Sequence, residues 1–203
     1  MGQLRHILSR LYKIDGTAKS HAINVSNISG QIAIAMNLSK PEVSQICLAG
    51  RYHDIGKIFI KPAILTKNGS LTSLEWEEMK THTQQGYELL LSFKKYQHLA
   101  YPALQHHERW DGKGYPYGLK EEEIVLSSRI IAVADAFDAM IAKRPYKNAY
   151  TIAKAIEEIK LGAGKQFDPH IAMAFAEMMA SSTYFFDKKY NLRLQVAPSA
   201  SQG

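Results

Sequence analysis

The 203-residue sequence contains a single cysteine, Cys47, so no intramolecular disulfide can form and no cysteine-rich zinc site can be built. Blocks of consecutive basic residues are also missing, although 25 Lys and Arg against 19 Asp and Glu give a net charge of +6. Without such a block or a known motif, a nucleic-acid-binding protein is disfavoured. The positive balance by itself favours an anionic partner, whether a nucleotide, a nucleic acid or a membrane surface.

Long apolar segments are scarce as well. The longest, residues 130–142, is interrupted by Asp135 and Asp138 and is too short to cross the roughly 30 Å apolar core of a bilayer. The N-terminal residues lack the basic start, apolar run and cleavage site of a secretory signal. We therefore predict a cytoplasmic protein with no membrane span.

Apolar residues make up 46% of the chain and recur at helical spacing, and no segment alternates as a half-buried strand does. The sequence thus predicts an all-α domain. Ser39 with Glu42, and Thr72 with Glu75, are capping boxes that mark helix starts. Asp168 followed by Pro169 marks the start of the last helix. Near the N-terminus, an amphipathic stripe is formed by Leu4, Ile7, Leu8, Leu11 and Ile14. The predicted helices after this stripe cover about residues 17–36, 40–53, 73–89, 97–107, 127–143, 150–160 and 169–180.

Histidine and aspartate residues stand out in five separate segments. A lone histidine on a helix is usually exposed or hydrogen-bonded, so each taken singly has an ordinary explanation. Asp135 is harder to explain, because an unpaired carboxylate among apolar residues is costly; it needs a metal, or a salt bridge to Arg129 or Lys143. The residues of this set are His21, His53, Asp54, His82, His106, His107, Asp135 and Asp138.

Taken together, these side chains suit a cage of oxygen and nitrogen ligands around two divalent metals. Adjacent residues on a helix point about 100° apart, so neighbouring ligands can face different metals. Carboxylates can also span a metal pair. Because cysteine ligands are lacking, iron, manganese or nickel are better candidates than structural zinc.

The ordered motifs around these residues resemble the HD-GYP family, the cyclic di-GMP phosphodiesterase branch of the HD superfamily. The resemblance covers about residues 21–175. The motifs are HDIGK at 53–57, HHERWDGKGYP at 106–116, RIIAVADAFDAM at 129–140, RPYK at 144–147 and FDP at 167–169.

The resemblance implies an HD-superfamily helical bundle with a GYP-containing loop. It also implies hydrolysis of cyclic di-GMP to pGpG, and in some members onward to GMP, through a hydroxide activated by two metals. It implies a catalytic domain at 17–181, preceded by an amphipathic helix or connector at 1–16 and followed by a tail at 182–203. By position, the metal ligands are His21, His53, Asp54, His82, His106, His107 and Asp135. Asp54 and Lys57 are the implied catalytic residues, and Arg144, Lys147, Tyr115 and Asp138 are placed at the substrate.

Departures from the family pattern shape further expectations. Thr17 stands where some members have a glutamate for a third metal, so we expect two metals. Arg51 and Tyr52 replace small or aliphatic residues just before His53 and Asp54, which we call the HD pair. Diguanylate cyclase domains are expected to dock on the GYP loop, and a homodimer is also considered. The alternatives are a catalytically degenerate cyclic-dinucleotide sensor or cyclase-docking module, and a phosphohydrolase for another nucleotide or cyclic dinucleotide.

Overall fold

The computed structural model describes residues 2–142 and 149–181, and over these ranges the chain is helical with no β-strand. The predicted all-α class is therefore confirmed. The helices are α1 (Gly2–Ile14), α2 (Ala18–Ala35), α3 (Lys40–Tyr52), α4 (Pro62–Leu65), α5 (Ser73–Lys80), α6 (His82–Leu91), α7 (Ala100–Gln105), α8 (Leu126–Ile141), α9 (Ile152–Leu161) and α10 (Pro169–Ser181). Short 3-10 helices cover Ile55–Phe59, Lys94–Leu99 and Glu121–Glu123.

Helix α2 lies at the centre of the bundle, where it packs against α3, α8 and α10. Its apolar side chains Val25, Ile28 and Ile32 are buried. On the facing helices, the Phe137 and Phe175 rings meet edge to face with centroids 5.0 Å apart. Each such buried side chain contributes about 1.5–3 kcal/mol through the hydrophobic effect. Since α2 and α8 carry two of the candidate ligands, His21 and Asp135, the same core that stabilises the fold positions the site.

Helix α1 belongs to this core. Leu4, Leu8 and Leu11 are buried, and the helix packs on the 3-10 helix Ile55–Phe59, which follows the HD pair. The apolar face of α1 is thus turned toward the rest of the bundle. The boundaries at residues 16 and 181 stay predictions. Within the described ranges, no helix is both long and apolar enough to traverse a membrane.

The predicted helix through Met79, His82 and Leu89 is wrong in one respect: it is two helices, α5 and α6, separated at Thr81. The Thr81 hydroxyl donates to the Glu78 carbonyl at 2.7 Å, and the Thr83 hydroxyl donates to the Lys80 carbonyl at 3.0 Å. Such side-chain bonds compete with the helical ladder for the same carbonyls. The break lets α6 begin at His82.

Gly56 sets how closely α6 approaches the HD pair. A Cβ atom at this position would collide with the His82 carbonyl oxygen and would lie 2.5 Å from the Gly86 nitrogen. Only a residue without a side chain fits, because backbone meets backbone here. The contact brings His82 beside the HD pair.

Candidate metal centre

Three buried histidines are held in the same way. The Nδ1–H groups of His53, His82 and His106 each donate to a carbonyl three residues earlier in the chain. The acceptors are Gly50 at 2.8 Å, Met79 at 2.6 Å and Ala103 at 2.9 Å. This bond fixes the tautomer and leaves Nε2 as the free ligand atom, as in histidines that bind metals.

The Asp54 carboxylate lies between two groups of imidazoles. Its Oδ1 atom is 3.3 Å from His82 Nε2 and 3.6 Å from His106 Nε2. Its Oδ2 atom is 3.3 Å from His53 Nε2 and 3.6 Å from His21 Nε2. One carboxylate therefore faces two sets of nitrogen ligands, one through each oxygen.

Two compact ligand sets follow from this division, and Asp54 belongs to both. The first consists of Asp54, His82, His106 and His107, and the second of His21, His53 and Asp54. In each set, one ligand atom from every residue lies within 4.8 Å of all the others.

Asp138 holds His21 in place. The His21 Nδ1–H group donates to Asp138 Oδ2 at 2.7 Å, and the Asn24 side-chain amide donates to Asp138 Oδ1 at 2.8 Å. Asp138 is only 3% exposed, and both of its oxygens are engaged by α2. These contacts give Asp138 a positioning role toward His21. Its predicted contact with substrate stays a prediction.

Asp135 lies on the other side of His21, with its Oδ1 atom 3.2 Å from His21 Nε2. Burial opposes ionisation of Asp135, but the contact with His21 and the nearby imidazoles hold its pKa well below the usual range. Arg129, one alternative partner for this carboxylate, instead pairs with Asp168 at 2.7 Å. The other, Lys143, lies outside the described residues.

Charge at the HD pair is balanced locally. The Lys57 ammonium donates to Asp54 Oδ2 at 2.6 Å. Burial acts against the charged form of each group, yet their mutual attraction raises the pKa of Lys57 and keeps the pKa of Asp54 well below its usual range. At neutral pH the centre thus contains a carboxylate and an ammonium group in contact.

The imidazoles differ in how they titrate. Burial lowers the pKa of His106 to about 4 and also lowers that of His107, so both are neutral at pH 7 and can bind a cation. Burial pushes the pKa of His21 down as well, but its contacts with Asp135 and Asp138 outweigh this and raise it to about 10. A cation that binds His21 must displace this proton.

The donor set fits divalent cations. His53 Nε2 and Asp54 Oδ1 are buried and have no hydrogen-bond partner within the described ranges, although both face the centre. Leaving such atoms unpaired costs about 1–3 kcal/mol each, and a cation between them removes that cost. Neutral imidazoles and carboxylates are also ligands that divalent transition metals accept.

The GYP loop, named for residues 114–116, folds back onto the HHE segment at residues 106–108. The Tyr115 ring stacks on His107 with centroids 4.8 Å apart, and its backbone N–H donates to the His107 carbonyl at 3.2 Å. A Cβ atom at Gly114 would collide with the Arg109 nitrogen and would lie 2.5 Å from Glu108 Cα. Tyr115 is thereby placed against a ligand of the centre.

Glu108 secures this loop from inside. Its side chain is buried, and one carboxylate oxygen accepts the Tyr117 N–H at 2.7 Å. Sequence reasoning missed Glu108 and Asn24. Two features of the sequence could have indicated them. Glu108 directly follows the paired histidines, and Asn24 lies one helical turn after His21.

The structure thus brings together every predicted metal ligand, with Lys57 on the shared carboxylate and Tyr115 at His107. Asp135 contacts His21 but lies outside the two compact sets. The predicted substrate residues Arg144 and Lys147 lie outside the described residues.

Comparisons with known proteins agree with this geometry. The family model described as "HD domain" matches residues 5–171. The chain is 47% identical over 160 residues to a cyclic di-GMP phosphodiesterase of Thermotoga maritima, which covers 78% of this chain and 44% of that protein. It is 43% identical over 171 residues to the cyclic di-GMP phosphodiesterase response regulator RpfG of Xanthomonas campestris, with 81% and 45% covered. The chain therefore belongs to the HD-domain family, in its HD-GYP branch.

Solved structures show the same fold at low identity. An HDG"Y"P protein from Bdellovibrio bacteriovorus aligns with a TM-score of 0.65 at 18% identity, over 87% of this chain and 60% of that one. The HD domain of the phosphodiesterase PgpH from L. monocytogenes, in complex with cyclic-di-AMP, aligns with a TM-score of 0.61 at 19% identity, over 86% and 93%. The chain spans less than half the length of the two relatives at 47% and 43% identity.

Proposed function

We propose that this chain is a metal-dependent phosphodiesterase that hydrolyses cyclic di-GMP to pGpG and then to GMP. The observation that carries the proposal is the Asp54 carboxylate, which faces one imidazole group through each oxygen and holds Lys57 at 2.6 Å. The names of the relatives at 47% and 43% identity support cyclic di-GMP as the substrate.

Two divalent ions are proposed, one in each ligand set, with Asp54 common to both. When bound, such ions supply Lewis acidity to the phosphodiester and to the attacking water. Iron, manganese or nickel suit the imidazole and carboxylate donors. Thr17 supports a count of two, because its hydroxyl donates to Asp15 Oδ1 at 2.7 Å, so the threonine engages the α1–α2 turn.

The protein's own groups account for the remaining requirements of the reaction. Lys57 stabilises the negative charge that develops on the phosphoryl oxygens and offers a proton to the departing 3′ oxygen. Tyr115, stacked on His107, presents an aromatic surface beside the centre for a guanine base. Arg144 and Lys147 are proposed to bind the second phosphate or a guanine edge.

The test is product analysis with purified protein loaded with Fe²⁺ or Mn²⁺ and supplied with cyclic di-GMP. We expect pGpG and GMP from the native chain, and a loss of at least about a hundredfold in rate for His53→Ala. His98→Ala is the matched control, since His98 is exposed on the 3-10 helix Lys94–Leu99, and it should retain activity. Full metal loading without turnover, or equal rates for His53→Ala and the native chain, would overturn the proposal.

A second candidate substrate is 3′3′-cGAMP. A 3′3′-cGAMP-specific phosphodiesterase of Vibrio cholerae is 37% identical over 160 residues, covering 78% of this chain and 31% of that protein. Relative rates on the two cyclic dinucleotides separate the candidates. Tight binding of either without cleavage would instead favour the degenerate sensor. Cyclase docking on the GYP loop, a homodimer and a cytoplasmic location stay predictions from the sequence.

A further inference from the structure

A cavity of about 550 Å³ opens where α1, the start of α2 and the end of α3 meet. None of the candidate metal ligands lines it, so it is distinct from the metal centre. Its charged lining is entirely basic, with no Asp or Glu side chain among the described residues that form it. The four cations are Arg5, Lys13, Lys19 and Arg51.

These cations lack carboxylate partners. Within the described ranges none of the four forms an ion pair, whereas other lysines such as Lys61 and Lys67 pair with glutamates at 2.7 and 2.6 Å. Four like charges around one cavity repel each other, and the repulsion is relieved when an anion binds among them. The cavity therefore favours a ligand with more than one negative charge.

The inner surface of the cavity is aromatic and apolar, formed by Tyr12 and Tyr52 with Leu8 and Leu48. The Tyr12 hydroxyl oxygen is buried. The Arg51 guanidinium lies near it, but no hydrogen bond of good geometry joins them. This surface suits a flat ring system that also carries a polar edge.

We propose that this cavity binds a phosphate-bearing nucleotide at a site separate from the metal centre. The arginines and lysines hold the phosphate group, for which guanidinium and ammonium groups are suited. A tyrosine ring receives the base, and the volume lies within the range of about 300–1,000 Å³ typical of small-molecule sites. The proposal goes beyond the hydrolytic function and does not depend on turnover.

The experiment is calorimetric titration of the full, metal-loaded chain with GMP, with inorganic phosphate and with AMP. Lys13→Gln combined with Lys19→Gln removes two of the four charges from exposed positions and so spares the core. We expect GMP affinity to fall about tenfold in this variant. Lys40→Gln combined with Lys94→Gln makes the same charge change at exposed positions outside the cavity and should leave the affinity unchanged.

The His53→Ala variant separates the cavity from the metal centre. GMP affinity that survives His53→Ala and falls in the Lys13/Lys19 variant supports the proposal, whether or not the chain cleaves cyclic di-GMP. GMP affinity lost in His53→Ala but kept in the Lys13/Lys19 variant places the nucleotide at the metal centre and overturns it. Inorganic phosphate binding as tightly as GMP also overturns it, because the base then adds nothing; AMP binding as tightly as GMP supports a site for nucleotides in general.

Discussion

At the scale of single residues, the centre depends on side chains that contact ligands as well as on the ligands themselves. His53 and Asp54 are adjacent, so their proximity could be predicted, and the family resemblance pointed to His21 as a further ligand. The contact between His21 and Asp138 joins residues 117 positions apart, and nothing in the spacing of the sequence reveals which oxygen receives which proton. Asn24 was missed for the same reason.

Replacing Asp138 by Asn tests this positioning role. The amide keeps one acceptor oxygen but loses the negative charge that orients His21 Nδ1–H, so His21 is held less firmly. We expect metal affinity to fall about 10- to 100-fold, as for other groups that orient a ligand. Competition with a chelator of known affinity measures this change.

Glu157→Gln is the control for that measurement, because Glu157 is exposed on α9 and, among the residues that the structure describes, forms a surface ion pair with Lys154 at 3.5 Å. Surface pairs of this kind contribute at most about 1 kcal/mol to stability, so the control should bind metal like the native chain. Unchanged metal affinity in Asp138→Asn would show that His21 needs no such support.

At the scale of elements, the backbone contact at Gly56 joins the 3-10 helix after the HD pair to α6. Helix existence was predictable from apolar spacing and capping boxes, and α2, α3 and α10 lie close to their predicted bounds. The break at Thr81 could not be predicted, because the helical spacing of apolar residues continues through it. The side-chain hydrogen bonds of Thr81 and Thr83 mark the division into two helices.

Gly56→Ala should destabilise the fold. Its Cβ would collide with the His82 carbonyl, and forcing α6 away costs about 1–3 kcal/mol in the free energy of unfolding. Gly16→Ala is the matched control, since nothing lies within 4 Å of a Cβ there, and it should be neutral or stabilise by up to about 1 kcal/mol. Urea unfolding of both variants measures this difference; equal midpoints would contradict the close-contact account.

A second prediction at this scale concerns the GYP loop, which Glu108 holds through the Tyr117 N–H. Glu108→Ala leaves the Tyr117 N–H without its acceptor, so we expect a loss of about 1–3 kcal/mol in the free energy of unfolding and faster amide exchange at Tyr117. Glu108→Gln keeps an acceptor oxygen and should recover part of both effects. Glu122→Gln, at an exposed position, should change neither. Slow exchange at Tyr117 in Glu108→Ala would show that the loop holds without this bond.

At the scale of the whole molecule, residues from five chain segments meet at the candidate metal centre, and different packing contacts bring them there. α2 and α8 supply His21 and Asp135 from the core, α6 approaches through Gly56, and His106 directly follows the end of α7. The resemblance could predict which residues meet. It could not predict that Asp54 faces His82 through one oxygen and His53 through the other, because that depends on side-chain rotamers.

The most direct test of this account is the metal content of Asp54→Asn compared with that of the native chain, measured by elemental mass spectrometry after loading with Mn²⁺ and desalting. We expect about two ions per chain in the native protein and about one or fewer in Asp54→Asn, since both ligand sets share this carboxylate. A native chain that holds a single ion, or an Asp54→Asn variant that keeps the native content, would contradict the account.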